Sequence, residues 1–338
     1  MPTLTQRQLN RALLARQRLL ERASLPLPRA LEAIGGIQAQ YAPSMYVGLW
    51  SRLEGFERDA LTAALTRRSV VQATLMRITI HLVSRRDFWP LALAVRDARR
   101  QSWLRTRPAP LAAEAMAEAA SILRARLEEA GTLSRKEIEA LVGKDRGLGA
   151  GLWLDLVRVP PSGTWERRRA DLFAAAADWI GEPGDAMPDP VEHLVRRYLA
   201  GFGPASFKDV ASFTGVAPTA LRPVVEGMRL RRFDDLLDLP RAPLPDPETP
   251  APPRFLPTFD ATLLVHARRT GLLPEEYRPR VFSTKNPQSV PTFLVDGSVA
   301  GAWRFAGGRI ELEPWRRLDA AERRALREEA DRLAAFYA

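Results

Sequence analysis

The sequence predicts an α+β, helix-rich protein built of tandem winged-helix modules, each a helix-turn-helix plus a β-hairpin, with a β-rich C-terminal part. Three observations predict it. Helical runs followed by two β-prone runs appear near the start of the chain and recur downstream. The hydrophobic period changes from that of a helix to that of a strand at Val70. Gly and Pro punctuate the helical runs at short intervals. With 338 residues, 46% of them hydrophobic and 27% charged, the chain is long and apolar enough for several compact units with their own cores.

Taken in order, Thr5 is placed to cap a helix running to Arg22, with Leu9, Leu13, Leu19 and Leu20 on its apolar side. Pro28 starts a second helix, which leads into Gly35-Gly36. A third runs from Asp59, at its cap, to Arg68. The β-prone runs Val70 to Met76 and Thr79 to Val83 then form a hairpin with Arg77 and Ile78 at its tip. Asp87 to Arg105 reads as one long helix, stopped by Pro108 and Pro110.

The pattern then repeats. Leu111 to Ala130 is a helix closed by Gly131, and Ser134-x-x-Glu137 is the capping box of the next. Leu152 to Val159 and Trp165 to Leu172 read as paired strands. After a Gly/Pro-rich stretch, helices over 190–200, 207–214 and 218–227 are broken by Gly203-Pro204 and Gly215, and a wing begins at Leu230. Beyond the proline-rich 240–253, strands are expected at Thr262 to Val265, Val290 to Asp296, Val299 to Phe305 and Arg309 to Leu312. Asp296-Gly297 and Gly307-Gly308 are hairpin turns, and an amphipathic helix follows from Asp319 to Tyr337. The expected modules are thus 1–108, 109–182, 183–240 and 254–338.

Composition removes several functions. Without cysteine there are no disulfides, iron–sulfur clusters or zinc fingers. His81, His193 and His266 lack the spacing of metal ligands, so neither a metal nor a cofactor is expected. No run is long enough to cross a bilayer and the first residues are no signal core, which leaves a cytoplasmic address and no membrane partner by default. The net charge of +10 fits a polyanionic partner, or a genome biased towards arginine codons. Lys136, Lys144, Lys208 and Lys285 are the only lysines, so guanidinium groups carry the charge and suit bidentate phosphate contacts.

One polar motif stands out. Gln38 and Gln40 flank Ala39, between Gly35-Gly36 and Pro43. On a helix, neighbours two apart diverge; on extended or broken backbone they share a side. Each amide has an acceptor oxygen and two N–H donors, so the pair can orient a water molecule without carrying charge.

The stretches GGIQAQYAPSMYVGLWSRL (35–53), LMRITIHLVSRRD (75–87), FGPASFKDVASFTG (202–215), LPTFD (256–260) and VDGSVAGAW (295–303) together resemble the AlkZ/YcaQ-like winged-helix DNA glycosylases. The resemblance implies excision of cationic alkylated purines such as N7-alkylguanine, in some members from interstrand crosslinks. It makes Gln38 and Gln40 the catalytic pair. It places Arg77, Thr79, His81 and Arg52 against double-stranded DNA, with the protein acting as a monomer. Asp260 and Trp303 match family positions and read as structural. Ile78 departs from the pattern, which has Gly after the arginine. The rival readings are a non-enzymatic winged-helix transcription regulator and a binder that sequesters adducts without cutting. Against a regulator, no ligand-sensing domain or coiled-coil segment is recognisable.

Overall fold

A computed structural model describes residues 3–106, 112–267, 269–282 and 288–338. The first helix, α1 (Gln6–Arg16), is capped by Thr5, whose side chain accepts from Gln8 N while the Gln8 side chain accepts from Thr5 N. It stops six residues before the expected Arg22, because Arg18 turns into the left-handed region at φ 57°. Then come α2 (Leu27–Ile34), β1 (Ile37–Gln38), α3 (Ala42–Trp50), α4 (Arg58–Thr66), β2 (Val70–Thr74) and β3 (Ile80–Ser84). Pro43 lies in the first turn of α3, where a missing N–H costs nothing. Glu57 precedes α4 without a capping hydrogen bond from its side chain, and Asp59 sits in the first turn, where a carboxylate still faces the helix dipole.

The expected long helix from Asp87 to Arg105 is two, α5 (Arg85–Ala94) and α6 (Arg96–Arg105), parted at Val95 with φ −103° and ψ 2°. Its proline stop lies outside the described residues.

The second unit comprises α7 (Ala113–Ala130), β4 (Leu133–Ser134), α8 (Arg135–Val142), α9 (Gly147–Leu154), β5 (Leu156–Arg158), β6 (Leu172–Ala175) and α10 (Ala176–Ile180). The Ser134–Glu137 capping box forms. The hairpin is shorter and later than expected: α9 runs on to Leu154, Asp155 turns left-handed at φ 57°, and pairing begins only at Leu156. Its connection is tied by Ser162, whose hydroxyl accepts from Asp171 N and donates to Arg169 O, at 2.7 Å each.

The third unit is α11 (Pro190–Phe202), β7 (Ala205–Ser206), α12 (Phe207–Thr214), α13 (Pro218–Gly227), β8 (Arg231–Phe233) and β9 (Leu236–Asp238). The last part holds β10 (Arg254–Leu256), α14 (Ala261–Leu264), α15 (Arg278–Val281), β11 (Thr292–Val295), β12 (Ser298–Ala306), β13 (Arg309–Pro314) and α16 (Ala320–Tyr337). The strand expected at Thr262 to Val265 is instead α14: the Asp260 side chain accepts from Thr262 N and caps a single turn. A four-residue apolar run carries no period that could have told the two apart.

The order helix, short strand, helix, helix, hairpin occurs three times, and each time the short strand pairs with the second strand of the hairpin. In the first two units those strands merge. Gln72 and Ala73 of β2 pair with Arg158 and Val157 of β5, giving one antiparallel sheet in the order β1-β3-β2-β5-β6-β4. The third unit keeps a separate sheet, β7-β9-β8, and the last part another, β10-β11-β12-β13. The second unit also has its own apolar core around Leu123, Leu127, Ile138 and Phe173, whereas the first and third share cores with the C-terminal part.

Candidate active site

Gly35 ends α2 in the left-handed conformation, and Gly36 repeats it at φ 79°. A Cβ at Gly36 would stand 3.1 Å from Leu82 O, so glycine is what lets the chain come close enough to β3 to pair as β1. That pairing sets Gln38 opposite His81, and Ala39 N donates to Ile80 O at 2.7 Å. The Gln-x-Gln segment therefore follows a strand along a sheet edge, on non-helical backbone, before α3 begins.

Both amides engage the same end of the β2–β3 hairpin, Gln38 its turn and Gln40 the first residue of β3. The Gln38 carbonyl Oε1 accepts from Arg77 Nη2 at 3.0 Å, and Gln40 Oε1 accepts from Ile80 N at 3.0 Å. Each donor has only hydrogens to offer, which fixes which end of each amide is oxygen. Each oxygen keeps a second lone pair. Gln38 is buried, with 5% of its surface exposed, and Gln40 is exposed.

Arg77 lies in the turn expected for it, but its side chain folds inward. Its Cζ stands 4.8 Å from the Phe213 ring centroid and its Nη1 is buried without a partner. No carboxylate pairs with it, and burial lowers its pKa to about 10, so it remains a cation at neutral pH. Phe213, brought from α12, was not foreseen; nothing in the sequence links it to the first unit. Arg77 and Ile78 both have positive φ, 54° and 56°. For a β-branched residue such as Ile78 that is a strained conformation. Beside this turn a cavity of about 300 Å³ is lined by Arg77, Ile78, Ser102, Arg105 and Thr214.

The other expected contacts fare differently. Thr79 is half-buried and its hydroxyl donates to Met76 O. His81 is 2% exposed; burial and the neighbouring Arg77 charge push its pKa down to about 3, so it is neutral. It therefore lies beneath the surface of the site in this structure. Arg52, also expected at DNA, lies inside the fold. It is 3% exposed and forms a bidentate pair with Asp260, at 2.9 and 3.0 Å, so the guanidinium is already neutralised inside the fold. Asp260 and Trp303 hold structure, the latter through Nε1 donating to Leu256 O at 3.0 Å. Among the described residues no group of three or more potential ligands could hold a metal, and no helix is long and apolar enough to cross a membrane.

An uncharged amide pair on a sheet edge, beside a half-buried arginine in a chain of net charge +10, defines a helix-rich α/β protein suited to a polyanion. The chain belongs to the AlkZ-like DNA glycosylase family: a family model described as "DNA glycosylase AlkZ-like" matches residues 31–336. It is accordingly a DNA-repair glycosylase, and its partner is DNA. Among solved structures the fold is similar to that of the Streptomyces sahachiroi DNA glycosylase AlkZ, with a TM-score of 0.76 at 20% identity over 98% of this chain and 97% of that one. No curated protein sequence matches.

Proposed function

We propose that this glycosylase hydrolyses the N-glycosidic bond of cationic alkylated purines of the N7-alkylguanine type, with Gln38 and Gln40 positioning the attacking water. The observation that carries the reading is the engagement of both amides with one end of the β2–β3 hairpin, each carbonyl oxygen held by a single donor. A water donating its two hydrogens to the remaining lone pairs would keep its own lone pair free to attack. An N7-alkylated purine departs as a neutral base and needs little acid help, while the sugar passes through an oxocarbenium-like state. Orientation is then the main task, and orientation is a large term.

Two glutamines are poor bases, so uncharged damaged bases should not be substrates. The three repeated units are the winged helices that grip the duplex. Arg77 and Thr79, half-buried at the turn, are the contacts nearest the lesion. Arg77 keeps Gln38 through Nη2, and its unpartnered Nη1 is free to meet a phosphate, which answers its charge when a cationic lesion sits there. The enzyme acts as a monofunctional monomer, and its edge-on site suits crosslinked lesions, which cannot be flipped into a deep pocket.

The test is incubation with duplex containing N7-methylguanine, reading free base and abasic sites. Gln38→Ala and Gln40→Ala should each lower release about a hundredfold with DNA binding retained. Sequence-selective binding without release by the unmodified protein would support a regulator instead. Since neither amide titrates and His81 stays neutral, single-turnover excision should be flat between about pH 5.5 and 8.5. A bell-shaped profile would point to an acid–base pair elsewhere.

A further inference from the structure

Where the first and second units join, the chain gathers more positive charge than it can neutralise. Arg96 and Arg99 of α6 both pair with Asp155, the former at 2.6 Å. Arg100 donates to Leu152 O at 3.0 Å and Trp153 O at 3.2 Å, lies over the Trp153 ring and has Asp97 as well as Asp155 within electrostatic reach. Opposite them, Arg158 of β5 is 8% exposed and has no carboxylate at all. Its Nη1 donates to Thr74 Oγ1 at 3.2 Å, its Nε is buried without a partner, and its Cζ lies 5.2 Å from the Phe173 ring centroid. Every Asp and Glu of the chain lies within the described residues, so no acid is missing from the account. Arg96, Arg99 and Arg158 thus have one carboxylate, Asp155, among the three of them.

Arg99 and Arg158 meet over Thr74, the first through the backbone oxygen at 2.6 Å and the second through the hydroxyl. Between them is a cavity of about 30 Å³, lined by Thr74, Arg99, Arg158, Leu152, Leu156 and Phe173. A water molecule needs about 10–15 Å³ of such space, so there is room for a small particle but none for a phosphodiester strand. Burial lowers the pKa of Arg158 to about 10, which leaves it charged at neutral pH. A water filling the cavity would solvate that charge without cancelling it. A buried ion without a counter-ion is a heavy destabilising load, while charge-assisted hydrogen bonds to an anion relieve it.

We propose that this cavity is a binding site for a small monovalent anion, a halide such as chloride, held by Arg158, Arg99 and the Thr74 hydroxyl. The site is independent of the excision chemistry. It lies at the β2–β5 pairing, so the anion fastens the first unit's strands and α6 to the second unit's β5 and α9.

The test is thermal unfolding of the full-length protein in sodium chloride against sodium gluconate, at equal ionic strength and pH. Bound halide should raise Tm by about 2 °C for each tenfold rise in chloride above its dissociation constant, with little response to gluconate. Arg158→Met should abolish the difference between the two salts. DNA affinity should fall with either salt through screening of phosphate contacts, so the two readouts separate the site from general ionic effects. Should Arg158→Met not fold, crystals of the unmodified protein in sodium bromide decide the matter. An anomalous peak between Arg99 and Arg158 supports the site. A cavity without one, or equal Tm responses to chloride and gluconate, overturns it.

Discussion

Arg52, buried, and Arg77, half-buried, both lie close in sequence to the Gln-x-Gln segment, yet they are built in opposite ways. Arg52 faces a carboxylate fork, and its Nη1 also donates to Gly48 O at 2.9 Å. Arg77 faces an amide and an aromatic ring, with one nitrogen unpartnered and two successive left-handed residues in its turn. The first arrangement neutralises charge and fixes α3 to the start of α14. The second leaves charge and strain beside the residue proposed to orient water. Unresolved charge and unfavourable backbone persist where function requires them, so burial alone does not mark an arginine as structural. What decides is whether its charge is answered.

The largest effect should come from breaking the answered pair. Asp260→Asn leaves Arg52 buried with no counter-charge and should cost about 3–5 kcal/mol in urea unfolding. Replacing both, Arg52→Met with Asp260→Leu, should recover most of that loss. If Asp260→Asn costs less than about 1 kcal/mol, the pair is not the fastener described here, and Arg52 becomes available again as a DNA contact.

The same contrast marks how much could be read in advance. The Ser134 capping box, the Gly131 and Gly215 helix ends and the Asp296-Gly297 turn all form where the sequence puts them, because each is a contract between residues a few positions apart. The three repeats of helices and hairpin were visible for the same reason. The Arg52–Asp260 pair and the Arg77–Phe213 contact were not, since each partner lies more than a hundred positions away. Nor could β-prone runs announce that β2 would pair with β5, because a strand's pattern states which face is buried and not who lies alongside. Gln38 and Gln40 were legible as a motif. Their shared dependence on residues 77–80 came only with the register of β1 on β3.

A pH series probes the ground beneath the unpaired cation. His81 and His266 are both buried, with pKa values lowered to about 3 and about 4, chiefly by burial and next by Arg77 and Arg269 respectively. Their folded-state values lie below the unfolded one, so the unfolded chain binds more protons between the two. Stability is therefore complete above about pH 6.5 and falls as the medium is acidified towards 4, by about 1.4 kcal/mol per pH unit for each histidine. His81→Leu should roughly halve the slope in denaturant midpoints measured across that range. An unchanged slope would mean that His81 is hydrated and accessible, restoring it as a possible contact.

Arg77→Met separates the two arginines further. Removing an unanswered, half-buried cation should leave stability within about 1 kcal/mol of the parent or raise it, in contrast to Asp260→Asn. Excision should fall about tenfold or more, because Gln38 loses a charge-assisted hydrogen bond of about 1.5–3 kcal/mol. The loss should appear in the single-turnover rate constant as well as in DNA affinity. An effect on affinity alone would make Arg77 a phosphate contact and nothing more.

The smallest effect is the one that tests strain directly. At φ 56° Ile78 carries the cost of a β-branched side chain in the left-handed region, about 1–2 kcal/mol, while glycine there loses about 0.5–1 kcal/mol in backbone freedom. Ile78→Gly should therefore stabilise the protein by roughly 0.5–1 kcal/mol, a rise in Tm of about 1 °C for a chain of this size. It also restores the residue that the family resemblance leads one to expect after the arginine. If the turn's rigidity is what presses Arg77 against Gln38, the more stable variant should excise more slowly, the two quantities moving in opposite directions. A variant that is both more stable and fully active would show that Ile78 is strained to no purpose in catalysis, and that Phe213 and Gln38 suffice to hold Arg77 in place.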